Sequence, residues 1–160
     1  GNFVAAIDTT FGGFRERADA TYALLKDSGP AFIVVAVPER DALREAAYFV
    51  ERLNQDEMPL GGLILNRVQE VPETGLTQDQ VLAAAQKLSA DTTGALTAAL
   101  LGLHAERMEI KGRQKHLASR FTAAHPSVPA QPVPAMTKDV HDLEGLREIG
   151  AALANQEITW

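Results

Sequence analysis

The sequence predicts an α/β fold: a short, mostly parallel sheet of about three strands, flanked by helices and carrying an added helical segment. Two observations predict it. Short uninterrupted apolar runs, Ala31–Val37 and Leu63–Leu65, are bounded by glycine and proline, as strands buried in a parallel sheet are. Around them, apolar residues recur at steps of three and four, the period of an amphipathic helix.

The first element is helical. Phe3, Ile7, Phe11, Phe14, Ala18, Tyr22 and Leu25 form one apolar stripe, and Gly12-Gly13 marks a place for a kink or break. Ser28-Gly29-Pro30 ends it, because proline disfavours helical geometry in the residue before it. The run Ala31–Val37 then predicts a strand covered on both faces, closed by Pro38. From Glu39 to Asn54, Ala42, Leu43, Ala46, Phe49, Val50 and Leu53 line one side of a second helix. Pro59 and Gly61-Gly62 precede a second buried strand, Leu63–Leu65, which ends at Asn66. Strand, helix and strand at this spacing make a right-handed βαβ unit.

Gln69–Gly75 is a polar loop. Thr77 and Gln80 have the spacing of a capping box, with Leu76 and Val81 as its hydrophobic staple, so a helix is expected over Thr77–Leu88. Asp91–Gly94 predicts a break and restart, after which a mainly helical pattern continues to Pro126. Ser127–Pro134 alternates Val and Pro, a pattern tolerated only on an edge strand or at strand ends. A last helix is expected over Asp142–Ala154, with Asp142 as its N-cap.

The chain has 160 residues, the size of one domain with a real core, and is treated as a single unit over 1–160. Fifteen basic against 21 acidic residues give a net charge of -6, which argues against a nucleic-acid binder and against an anionic membrane surface. Without cysteine there is no disulfide, thiolate metal site or cysteine nucleophile. The longest apolar run is far short of the roughly 20 residues of a membrane span, so an integral membrane protein is not expected. The opening Gly1-Asn2-Phe3-Val4 lacks the features of a signal peptide and is read as a cut end within a helix.

Two segments carry a family likeness. Val37–Leu53, reading VPERDALREAAYFVERL, and Pro59–Val68, reading PLGGLILNRV, resemble the ArsA-like ATPases, a family that includes the arsenite-pump and tail-anchored-protein targeting ATPases. The actinobacterial branch is most similar, since Phe11–Arg17 also looks like it; Gln131–Val140, followed by Leu143 and Leu146, resembles the loop after that family's last strand. The likeness spans Phe11 to Ala154 and implies the C-terminal half of a cytoplasmic P-loop ATPase that binds ATP or ADP with Mg²⁺.

By that resemblance, Asn66 would contact adenine, with Arg67 beside it, and Pro134, Ala135 and Met136 would form the loop packed on the same base. The chemistry of the residues is compatible. Ligands of open α/β sheets bind beyond the carboxyl ends of strands, an Asn amide offers a donor and an acceptor, and Met packs adaptably. The plain alternative for Asn66 is a turn cap.

Two departures from the family pattern matter. No Gly-rich loop with a phosphate-binding Lys occurs, so the phosphate and Mg²⁺ groups are expected on a missing N-terminal half or a paired subunit. The targeting branch's Cys-x-x-Cys zinc staple is impossible here, and an added helical stretch of about residues 77–124 stands instead. The client is unknown, no catalytic or metal-ligating residue is expected in this chain, and tight nucleotide binding by it alone is not expected. A contrasting reading is a non-catalytic interaction module that uses residues 77–124.

Several other features have bland explanations. Asp8 follows an apolar run as a Mg²⁺-binding Asp would, yet the helical spacing continues past it. His104, His116, His125 and His141 lack paired zinc spacing. Lys111, Arg113, Lys115 and Arg120 are by default a solvated face, with a phosphate or partner contact as the functional alternative. Glu39 stands apart from the other helix carboxylates because it lies at a strand-to-helix turn on the ligand side.

Overall fold

The elements follow the order α1 (Asn2–Lys26), β1 (Phe32–Ala36), α2 (Arg40–Gln55), β2 (Leu60–Val68), α3 (Gln78–Ser89), α4 (Ala95–Ala124), β3 (Ala130–Pro134) and α5 (Leu143–Ala154). This computed structural model describes residues 2–90 and 93–154, with side chains from residue 13 onward; Asp91 and Thr92 of the expected break lie outside the described residues. The fold is α/β, with three parallel strands in the order β1-β2-β3. Among the described residues no helix is long and apolar enough to cross a membrane.

Sequential strand order with right-handed crossovers puts α2 and α4 on the same side of the sheet. The core forms there. Leu43, Ala46 and Val50 of α2 and Ala118 and Phe121 of α4 close over Leu63 and Leu65 of β2. Val34 and Ala36 of β1 pack against the rim of this cluster. Val50 and Leu65 are fully buried, each contributing about 1.5–3 kcal/mol through apolar burial.

Gly62 admits the crossing from α4 into β3. A Cβ there would stand 2.7 Å from the Pro129 carbonyl oxygen. The neighbouring Leu63 N–H donates to that same oxygen at 2.8 Å, so the oxygen is held in place. Pro132 sits inside β3, and the ladder tolerates it because β3 is an edge strand.

Thr77 caps α3 with the expected reciprocal box: its side chain accepts from Gln80 N–H, and Gln80 Oε1 accepts from Thr77 N–H. At α5, Asp142 Oδ1 accepts from Gly145 N–H at 2.8 Å, as an N-cap does. α3 and α4 pack on one another as a hairpin, and α5 packs against β3.

α1 runs without interruption through Gly12-Gly13, as the helical spacing across them implies, because two helix-weakening residues cost less than breaking a long hydrogen-bonded ladder. Other expectations need correcting. β2 does not stop at Asn66 but continues to Val68, since Val68 pairs with Pro134 beyond a register shift. β1 is covered on one face only: Ile33 and Val35 are 60% and 59% exposed. Likewise residues 14–25 of α1 are exposed on every side, so its apolar stripe is bare at Phe14, Tyr22 and Leu25.

Candidate functional site

The carboxyl ends of β2 and β3 open onto a cavity of ≈ 630 Å³. Its size lies within the ~300–1,000 Å³ range usual for small-molecule sites. Asn66, Arg67, Pro134, Ala135 and Met136 all line it, although the first two are nearly 70 residues away from the others along the chain. Parallel pairing is the cause: β2 and β3 run side by side in one direction, so the chain leaving each strand reaches the same rim.

A bulge positions the first pair. The β2–β3 register shifts between Leu65 and Val68, and Arg67 has φ 59, a left-handed conformation uncommon for a residue with a Cβ. Asn66 Oδ1 accepts the Arg67 backbone N–H at 3.0 Å, which holds the bulge locally. Because β2 continues past it, Asn66 does not cap a turn leaving the strand; its bond braces the bulge within β2, engaging the side-chain oxygen and leaving the NH₂ as a donor. Asn66 is half-buried and Arg67 exposed.

The second group is held by the main chain. Ala135 donates its N–H to Val68 O at 2.9 Å, tying the loop after β3 to the end of β2. Val133, which is buried, lines the cavity together with Met136 and, from α5, Ile149.

Three polar lining residues escaped the sequence reading as site candidates: Lys138, Asp139 and His141. Their position in the loop beyond a terminal parallel strand was the available signal, since such loops build the ligand crevice. Arg67 and Lys138 bring two cations to the cavity and Asp139 one carboxylate. Glu39 lies at the carboxyl end of β1, where it is the N-cap residue of α2 without a side-chain capping bond, and it does not line this cavity. Asp8 lies in the first half of α1, before residue 13, where only the backbone is described. Among the described residues no group of three or more His, Cys, Asp or Glu side chains is placed to hold a metal ion.

Chemically, the cavity offers the apolar side chains of Val133, Met136 and Ile149, one amide donor, main-chain groups of the 134–136 loop, and the charged groups of Arg67, Lys138 and Asp139. Compared with family models and with curated proteins, the chain matches none.

Proposed function

We propose that this chain supplies the adenine side of an ATP site in an ArsA-like P-loop ATPase, with phosphates and Mg²⁺ held by a second, N-terminal half. The single observation that carries the reading is the meeting of Asn66 and Arg67 with the Pro134–Met136 loop in one cavity at the carboxyl rim of parallel strands. A purine is flat, apolar on its faces and polar at its edge. Val133, Met136 and Ile149 suit the faces, and the Asn66 NH₂ with loop main-chain groups suits the edge.

Phosphoryl transfer depends on positioning and on charge stabilisation by a Gly-rich loop, a Lys and Mg²⁺, and no such loop occurs in the sequence. In this reading the chain alone does not hydrolyse ATP. The second half would add a parallel strand along the free edge of β1 and cover Ile33, Val35 and the bare stripe of α1. Parallel sheets are almost always covered on both faces, so an uncovered β1 favours such a neighbour.

The test is calorimetric titration of ATP into the assembled protein and its Asn66→Ala variant, beside an ATPase assay of this chain alone. Weakened binding by the variant with no turnover by the chain is the expected result. Turnover by the chain alone, or unchanged affinity in the variant, defeats the proposal.

One observation favours a second reading, a protein-interaction module built on α3 and α4. Leu96, Leu100 and Leu103, at steps of four and three along α4, are 74%, 58% and 46% exposed. Loss of a protein partner in Leu100→Glu, with nucleotide affinity unchanged by Asn66→Ala, would favour it.

A further inference from the structure

We infer that the groove between the 69–76 loop and α4 is a second ligand site, one that takes a small apolar carboxylic acid. It has ≈ 410 Å³ of space and lies apart from the rim cavity, sharing no lining residue with it. Its walls are Val71, Pro72 and Leu76 on the loop and Met108 on α4, with Lys111 and Lys115 one helical turn apart beside them. An apolar trough with ammonium groups at its edge recognises a hydrocarbon body that ends in an anion.

The groove is preformed. Gln69 N–H donates to Gln114 Oε1 of α4 at 2.7 Å, which clamps the start of the loop. The Thr77–Gln80 capping box clamps its end. Between them Val71 is buried and Gly75 has φ +71, a conformation that favours glycine, so the loop holds its shape without a ligand.

The helix side is also shaped for occupancy. Gly112 stands between the two lysines in the middle of a 30-residue helix, where glycine is costly, and a Cβ added there would meet nothing within 4 Å. The backbone at Gly112 therefore faces open space in the groove, and a larger side chain placed there would enter it. Glu73 adds one carboxylate to the lining. Two lysines against one glutamate leave a net single positive charge, the complement of a monoanion. Lys115 already makes a contact of its own. Lys111 has no ion-pair partner among the described residues, and it therefore carries the charge selection.

The three methionines make the test internal. Met108 lines this groove, Met136 lines the rim cavity and Met58 lies in neither. Methyl-labelled protein is titrated with decanoate, decan-1-ol and decyltrimethylammonium, each kept below its micelle threshold. Expected is a saturable shift of Met108 alone with decanoate, weaker binding of the alcohol and none of the cation. Gly112→Leu should abolish the Met108 shift by filling the floor, and Lys111→Ala should weaken decanoate about fivefold while leaving decan-1-ol unchanged. A still Met108, equal shifts with the cation, joint movement of all three methyls, or undiminished binding by Gly112→Leu would each overturn the assignment. Because ATP is read at Met136, failure here leaves the nucleotide proposal standing, and the reverse holds too.

Discussion

The backbone N–H of Ala135 donates to the carbonyl oxygen of Val68 at 2.9 Å, binding the loop after the last strand to the end of the middle one. That bond extends the β2–β3 pairing by one residue, just before Met136 on the cavity that Asn66 also lines. The bulge at Asn66-Arg67 opens β2 just before it, so the sheet ends in a hollow rather than a flat edge.

If the Asn66 NH₂ meets a base edge, Asn66→Ala should weaken nucleotide binding by the assembled protein about three- to tenfold, the worth of one hydrogen bond. Stability should fall by no more than ~1 kcal/mol, because only the local bond to Arg67 N–H is lost. Calorimetry and urea denaturation on the same samples separate the two effects.

Gly62→Ala should destabilise the chain by roughly 1–3 kcal/mol, since its methyl would press on a Pro129 carbonyl fixed by Leu63 N–H. A midpoint unchanged in urea would show that β2 and β3 approach one another less tightly than these contacts require.

Leu65→Ala and Val35→Ala should differ sharply. The first empties a fully buried position and should cost about 2–5 kcal/mol. The second removes a side chain that is 59% exposed, and its cost should stay within ~0.5 kcal/mol in this chain. Equal losses in the two would mean that something covers β1 in solution.

Thr77→Ala should cost about 0.5–2 kcal/mol by removing one side of the capping box. The loss should be local, appearing as faster hydrogen exchange in the first turn of α3 with β2 amides unaffected.

Val35→Lys should leave the chain folded, because the new side chain points into open solvent. It should prevent association with a second half that adds a strand to β1. Sedimentation of the mixed components reads this directly; association as strong as in the unaltered chain would move that interface elsewhere.

Much of this architecture is legible from residues whose signal is local. The β-branched run Ala31–Val37, the Thr77–Gln80 box and the Asp142 cap each name an element through chemistry confined to a few neighbours. The Val and Pro alternation over Ser127–Pro134 allowed an edge strand or strand ends, and β3 lies at the edge of the sheet. What depended on distant partners was hidden. Asn66 and Arg67 are polar and conceal the continuation of β2 to Val68, which only pairing with Pro134 reveals. The strand pattern of Ile33 and Val35 implies cover on both faces, while the missing cover is a matter of neighbours. The loop from Gln69 to Gly75 looked simply polar, yet Val71 within it is buried and walls a groove. The resemblance of Pro59–Val68 and Gln131–Val140 to one family singled out Asn66, Arg67, Pro134, Ala135 and Met136; spacing alone could not have joined segments so far apart.

The nucleotide reading is tested most directly at the Met136 methyl resonance while ADP is added to millimolar concentration. A weak, saturable shift of Met136 is expected, reduced in Asn66→Ala and absent from Met108. A Met136 signal that stays still throughout, in a chain shown to be folded by its Leu65 and Val50 methyls, would contradict adenine binding at this rim.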